Sequence, residues 1–394
     1  MRRIFLKDKY YEVIEKPVPH VLIKTKKELH GWYPGKRECT AERLLINPYN
    51  GCSVGCFYCY ARALPGYFEI FNQKNIIFVC QDFNEVISRQ LDSLSVASCG
   101  YLSPVTDPFQ NLEEIYHLSE KIIEEFVKRN IPIEFITKCK IPEKVLELIR
   151  NQRHSFGQVS ILTVNEDLRK IFSPGGANTE ELFENLRRLS RKGIFSVCRI
   201  DPIFPFLTDR KEELSQLVEK AVDCGAKHIV ASILDIPLRI KNLILNKIKN
   251  CFGKEVYLKY ISLYKEKIGY LNAEIGYRRS VFEFLRKLCD KKKITFSLCM
   301  EYEIKDNKIV GLNREFMSAN NCEGIDIPIY VRKNNRFDVL YNCLGNCLNC
   351  KEALCGIEDL AMARDIEAKK SFKLRDYRRW SEDLFNIFSL SKNV

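Results

Sequence analysis

The sequence predicts an α/β protein built on a parallel sheet, and two observations carry that prediction. From Glu42 onward, short apolar runs alternate with amphipathic segments about six times in succession. Within the amphipathic segments the apolar residues recur at three to four, as on one helical face. Repeated β/α units need crossover connections, so the sheet is either a complete or partial barrel or an open doubly wound sheet.

Taken in order, the strand RLLIN runs straight into NPYNGCSVGCFYCYAR, Asn47 to Arg62. ASCGYLSPV and IPIEFITK are the next strands, and between them lies the helix NLEEIYHLSEKIIEEFVKRN, with Ile115, Leu118, Ile122 and Phe126 on one face. PEKVLELIRNQ is a helix, GQVSILTV a strand, and TEELFENLRRLSRKG a helix whose Gly193 is a C-terminal stop. The strand IFSVCRIDPI, the helix RKEELSQLVEKAVDCG and the strand HIVASIL follow. Beyond Pro237 the pattern loosens into two helices, PLRIKNLILNKIKN and RRSVFEFLRKLCDKKK, and one more strand, ITFSLCMEY. Residues 301 to 356 read as irregular, and the tail ARDIEAKKSFKLRDYRRWSEDLF as a charged helix. The division is an N-terminal extension over 1–40, a barrel over 41–300 and a cysteine-rich cap with a basic helical tail over 301–394. Folds of this class place the active site at the carboxyl ends of the strands, where the cysteine stretch lies.

The 394 residues carry 63 Lys and Arg against 51 Asp and Glu, a formal +12 that tilts partners toward anions such as nucleic acid. Seventeen cysteines would suggest disulfides in a small secreted chain, but this one is long and its start, MRRIFLKDKYYEVIEK, lacks the apolar run of a signal peptide. A reducing cytoplasm is the expected location. No apolar segment approaches the ~20 residues that span a bilayer. Cys80, Cys139, Cys198, Cys224, Cys251 and Cys289 stand alone in or beside apolar segments and read as core thiols. Two cysteine groups remain.

Cys52, Cys56 and Cys59 can converge because Gly51 and Gly55 relax a short loop. Structural zinc takes four ligands in paired units, and no fourth Cys or His lies in the loop. Cys39 stands at the far end of RLLIN, and His20 and His30 lie further upstream. A 4Fe-4S cluster is normally held by four thiolates, so three leave one iron open.

With Tyr58 as its aromatic, this loop resembles the CxxxCx(aromatic)C motif of the radical S-adenosylmethionine (radical SAM) superfamily. NPYNGCSVGCFYCYAR, VTDPFQNLE, ITKC, VSILTVNEDLRKIFSPGGAN and IDPIFPFLTD resemble, in order, the landmarks of the spore photoproduct lyase-like group, often labelled DNA repair photolyase, over about residues 45 to 240. The resemblance implies a partial (β/α)6 TIM-type barrel with a C-terminal cysteine-rich region. It implies a 4Fe-4S cluster on Cys52, Cys56 and Cys59 whose open iron chelates S-adenosylmethionine, and a 5′-deoxyadenosyl radical after reductive cleavage. It also implies an external electron donor such as flavodoxin or ferredoxin. Lys138 and Ser160 resemble the residues that contact the carboxylate and sugar of S-adenosylmethionine, and Asp107 is a candidate for its ammonium. Arg199, inside an apolar strand, either pairs with a structural acid or reaches toward ligand. The lyase has a hydrogen-donor cysteine just before the motif matching TD; this chain reads SPVTD there, with Cys99 several residues too early, so repair of the spore photoproduct itself is not expected.

Cys343, Cys347, Cys350 and Cys355 can close a second site, an auxiliary 4Fe-4S cluster or a zinc, with Cys299 and Cys322 as alternative ligands. The tail interleaves Lys369, Lys370, Lys373, Arg375, Arg378 and Arg379 with Phe372, Tyr377 and Trp380, as DNA or RNA binding requires or as a solvated helix face would also show. The expected function is radical SAM chemistry of a repair or modification type on a nucleic acid. The alternatives are radical modification of a peptide, protein or small molecule assisted by an auxiliary cluster, and a non-catalytic metal-stapled nucleic-acid-binding protein.

Overall fold

The structure is a computed structural model that describes residues 1–17, 44–64, 68–94, 96–97, 99–341 and 343–345. Its centre is a sheet of seven strands: β1 (Leu44–Ile46), β2 (Gly100–Leu102), β3 (Ile133–Thr137), β4 (Phe156–Ser160), β5 (Phe195–Ile203), β6 (His228–Ile233) and β7 (Thr295–Leu298). Every neighbouring pair is parallel, and spatial order equals chain order from β1 to β7. A doubly wound sheet reverses its order at a switch point; this one never does, and its two edge strands do not pair, so it is an unclosed barrel. Its seven strands are the six of the repeat and the further strand that the sequence places in ITFSLCMEY.

Alternation along the strands builds two faces. Cys198 and Ile200 of β5 belong to the main core against the helices, while Val197 joins Cys99, Phe156, Val230 and Ile327 in a separate cluster inside the barrel. The outer layer includes α1 (Phe83–Asp92), α2 (Leu118–Lys128), α3 (Glu143–Ile149), α4 (Glu166–Phe172), α5 (Thr179–Arg191), α6 (Lys211–Asp223), α7 (Lys241–Leu263) and α8 (Ile275–Lys291). Asn178 and Glu181 form a capping box at the start of α5. Gly193, at φ +68°, ends it as expected, with the Ile194 amide donating to the Leu189 carbonyl at 3.0 Å.

Three expectations need correction. The helix foreseen across residues 111–130 breaks at His117, which adopts φ +51°, and Ile115 is consequently 39% exposed instead of facing the core. Cys251 is exposed on α7, whereas Cys80, Cys139, Cys198, Cys224 and Cys289 are buried as foreseen. The segment after β7 is not irregular throughout: it contains the hairpins Tyr302–Lys305/Lys308–Gly311 and Tyr330–Lys333/Arg336–Val339. Asp306 and Asn307 both take positive φ in the first turn, which suits the twist of a tight hairpin.

Two smaller sheets matter for position. Arg2–Leu6 pairs with Lys9–Pro17, which runs parallel to Ile76–Gln81, which in turn pairs with Tyr49–Asn50 at the entrance of the cysteine loop. The N-terminal strands thus support the back of that loop. At the other end of the barrel, Tyr330–Lys333 pairs with Val96–Ala97, the Phe337 amide donates to the Arg129 carbonyl, and the Tyr330 hydroxyl meets Gln152 and His154. All of these partners precede barrel strands, so this segment covers the amino end of the barrel.

Candidate functional site

The cysteine loop leaves β1 at the carboxyl end of the barrel. Gly51 sits at φ +104°, and a Cβ there would meet Phe71 and Ile77 at 3.0 to 3.2 Å, so only glycine fits. Cys52, Cys56 and Cys59 are half-buried and in no disulfide. Burial pushes the Cys52 thiol well above its usual value and Cys59 up to about 11; the Val54 and Ala61 amides pull the other way by hydrogen bonding toward Cys52 and Cys59. Cationic iron supplies the charge that deprotonates such thiols. Among the described residues no three His, Cys, Asp or Glu side chains gather as a single ion requires. A 4Fe-4S cluster spreads its thiolates more widely, one to an iron, and this loop can supply three of the four.

Neighbouring segments clamp the loop. The Gln110 side chain accepts from the Ser53 amide at 2.9 Å and donates to the Gly51 carbonyl at 3.3 Å. The Asn111 amide donates to Ser53 Oγ at 3.0 Å, and Asn111 Nδ2 donates to the Tyr11 hydroxyl of the N-terminal strands at 2.8 Å. Ser173 Oγ lies 3.4 Å from Cys56 Sγ and 3.3 Å from the Tyr58 hydroxyl. The Tyr58 ring packs edge-on against Phe204, which stacks on Phe172 at 4.0 Å. The next two glycines close the assembly: the Gly175 amide donates to the Val54 carbonyl at 2.9 Å, and a Cβ on Gly175 would lie 2.1 Å from the Ser53 oxygen. A Cβ on Gly176 would lie 2.8 Å from the Lys138 oxygen. SPGGAN is therefore the strap between the cysteine loop and the end of β3.

Facing this loop, the strand ends bring the foreseen residues into one region. Asp107 is buried; its Oδ1 accepts from the Thr137 hydroxyl (2.8 Å) and the Phe109 amide (2.9 Å), and its Oδ2 from the Lys138 amide (2.6 Å). Burial raises its pKa while those bonds oppose the rise. Among the described residues the Lys138 ammonium makes no ion pair or hydrogen bond, yet its charge is felt by Cys59, Asp107 and Asp201. Ser160 is buried, with a long 3.4 Å bond to the Asp201 carbonyl. Arg199 pairs with Asp201 and donates to Gln158 Oε1 at 2.9 Å, so its guanidinium is engaged within the barrel wall. Burial opposes that charge, but Cys299, Asp201 and Tyr101 hold it protonated. Gln158 continues to Glu134, and Ser232 donates to Asp201, giving a polar chain across β3, β4, β5 and β6.

Two buried hydroxyls in the loop after β2, Ser103 Oγ and Thr106 Oγ1, have no hydrogen-bond partner among the described residues. Orphaned hydroxyls and an uncommitted ammonium beside the cysteine loop fit a polar ligand with a carboxylate, an ammonium and a ribose, as S-adenosylmethionine is. Sequence reasoning did not single out Ser103, Thr106, Gln110 or Ser173; the Gly-Gly pair of SPGGAN was the available signal for the strap.

A groove of about 340 Å³ opens on the outer side of the loop, lined by residues that include Lys9, Tyr10, Tyr11, Cys52 and Arg62. The second cysteine group is described only at Cys343, whose Sγ accepts from the Ile329 amide at 3.4 Å; Cys347, Cys350 and Cys355 lie outside the described residues, as does the basic tail. Gly345 packs directly on the Ile327 backbone, and Ile327 fills the amino-end cluster of the barrel. Cys343 and the first cysteine loop therefore stand at opposite ends. Cys299 packs against that inner cluster, and the Cys322 carbonyl accepts from Ser297 Oγ at 2.7 Å. Among the described residues no helix is long and apolar enough to cross a membrane.

The sequence model of the Radical SAM superfamily matches residues 46–218. A radical SAM Nalpha-GlyT isomerase of Pseudomonas phage M6 is 25% identical over 377 residues, 89% of this chain and 78% of that protein. An uncharacterised protein of Methanocaldococcus jannaschii is 25% identical over 171 residues, 42% of this chain and 62% of that protein. Among solved structures, spore photoproduct lyase complexed with dinucleoside spore photoproduct superposes with a TM-score of 0.54 at 14% identity, over 73% of this chain and 81% of that one. A likeness at that identity speaks for the fold alone.

Proposed function

We propose that this chain is an enzyme of the radical SAM type, as the superfamily match over residues 46–218 and the phage relative support, that Cys52, Cys56 and Cys59 hold the 4Fe-4S cluster that family implies, and that its radical chemistry modifies a nucleic acid or nucleoside. When bound, the cluster and S-adenosylmethionine supply a 5′-deoxyadenosyl radical. Lys138 binds the methionyl carboxylate, Ser103 and Thr106 take its polar end, and Ser160 takes the ribose. Asp107 acts mainly by fixing the end of β3, with one lone pair left for the ammonium. Tyr58, wedged against Phe204, shapes the apolar wall and excludes water. Arg199 orients the polar chain of the barrel wall instead of binding ligand.

The observation that carries the binding reading is the uncommitted Lys138 ammonium beside the cysteine loop and two orphaned hydroxyls. The substrate class is supported by the +12 formal charge and by a fold shared with an enzyme solved in complex with a dinucleoside, and the phage isomerase, aligned over 89% of this chain, supports radical SAM chemistry. The isomerase also favours rearrangement over lesion repair, consistent with SPVTD in place of a donor cysteine. An acidic one-electron carrier of the flavodoxin or ferredoxin kind would approach through the outer groove that reaches Cys52. Cys343 stands at the amino end of the barrel, so a zinc or auxiliary cluster bound there would staple that end, which weakens the reading in which it anchors substrate at the strand ends.

The test is anaerobic reconstitution and reduction, followed by assay of S-adenosylmethionine cleavage with and without DNA, RNA and nucleosides. Cleavage stimulated by a nucleic acid supports the proposal. Cleavage stimulated only by peptides overturns the substrate class, and no cleavage under any condition overturns the cofactor assignment.

A further inference from the structure

Gln110 touches the backbone on both sides of Cys52. Its Oε1 accepts from the Ser53 amide and its Nε2 donates to the Gly51 carbonyl, and the two partners together force that orientation of the carboxamide. The side chain is fully buried, and its own backbone is pinned by bonds from its amide to the Asp107 carbonyl and from the Glu113 amide to its carbonyl. The contact comes from a rigid platform 57 residues away in sequence. A residue needed merely to fill space would not require both a donor and an acceptor.

We propose that Gln110 is a positioning residue that sets the reduction potential of the cluster, by holding the Ser53 N–H away from the Cys52 thiolate. The inference rests on the assignment of Cys52, Cys56 and Cys59 as cluster ligands. Amide hydrogen bonds to cluster sulfur stabilise the more negative, reduced form and raise the potential. Reductive cleavage of a sulfonium needs a low potential. Val54 already directs its amide toward Cys52. Gln110 removes the next available donor and leaves Cys52 with fewer N–H contacts than an unclamped loop would give it.

The experiment compares wild type with Gln110→Leu and Gln110→Glu, each reconstituted anaerobically and titrated by electron paramagnetic resonance without S-adenosylmethionine. Gln110→Leu frees the Ser53 amide and is expected to raise the reduced fraction about tenfold at a fixed poise, or about 59 mV for one electron. Gln110→Glu keeps the acceptor for Ser53 and adds negative charge, so its midpoint should stay level or fall. Opposite responses distinguish tuning from simple loss of structure, which would move both variants alike. If Gln110→Leu does not retain iron, Gln110→Met, of similar length and without either bond, takes its place. Equal midpoints in all forms, or a rise in Gln110→Glu matching that of the apolar variant, overturn the proposal. A wild-type protein without a 4Fe-4S signal overturns the ligand assignment beneath it, a result readily told apart from equal midpoints.

Discussion

Asp107 holds Lys138 by the main chain: the Lys138 amide donates to Asp107 Oδ2 at 2.6 Å, while the ammonium is left uncommitted. The carboxylate therefore sets where the lysine begins, and the ligand decides where it ends. Asp107→Asn would turn an acceptor into a donor facing a donor. Loss of a buried acceptor costs about 1–3 kcal/mol, and thermal melting should fall accordingly, with weaker S-adenosylmethionine binding.

Lys138→Ala should leave the fold and the iron content unchanged, because no described contact depends on its ammonium. A hydrogen bond to a charged group contributes roughly 1.5–3 kcal/mol, so the Kd for S-adenosylmethionine should rise by about one to two orders of magnitude. Equilibrium binding to the reconstituted protein measures this; an unchanged Kd would remove Lys138 from the site.

Gly175→Ala places a methyl group 2.1 Å from the Ser53 oxygen, a backbone atom that cannot rotate aside. Overpacking of this kind typically costs about 1–3 kcal/mol. The strap must separate from the cysteine loop, so iron retained per chain after reconstitution should drop. The same substitution at Gly193, where a Cβ meets nothing within 4 Å, should leave the iron content alone.

Stability should fall as pH rises from about 4.5 to about 7. Burial raises the Glu113 carboxyl from its ordinary 4.5 to about 7, where it accepts from the Tyr49 hydroxyl and the Glu120 amide. A folded-state pKa above the unfolded one means the native state binds the extra proton, so this contribution is complete below 4.5 and lost as pH passes through 7. The effect is on the order of 3 kcal/mol. Chemical denaturation across that range should show the decline, and Glu113→Gln should flatten it.

Cys343→Ala should lower the melting temperature and the content of the second metal without abolishing S-adenosylmethionine cleavage. The reason is position: Cys343 bonds Ile329 at the amino end of the barrel, and the first cysteine loop leaves β1 at the carboxyl end. Metal analysis beside the Cys52/Cys56/Cys59 triple variant separates the two sites, because each should lose its own metal.

Much of this site was legible because its signals are local. The gaps between Cys52, Cys56 and Cys59, the strand before them and the aromatic Tyr58 all lie within one short stretch. Lys138 and Ser160 stand at strand ends that periodicity locates, and the family resemblance is what singled them out there. Gln110 was not legible, because nothing near Asn111 says that its carboxamide meets a loop 57 residues earlier. Ser173 was hidden for the same reason, being 115 residues from Tyr58. Arg199 was left between two roles, and its partners Asp201 and Gln158 show that the barrel wall engages it.

The sequence by itself determined the β/α order, the parallel sheet and the placement of three thiols after a strand, because periodicity and spacing are properties of neighbouring residues. Only the tertiary structure decided that spatial order equals chain order across the sheet, that the N-terminal strands support the cysteine loop, and that Cys343 stands at the opposite end of the barrel. Those outcomes depend on which distant backbone amides and carbonyls find one another once the sheet curves, and register between strands is set by the packing of whole faces, not by any single residue.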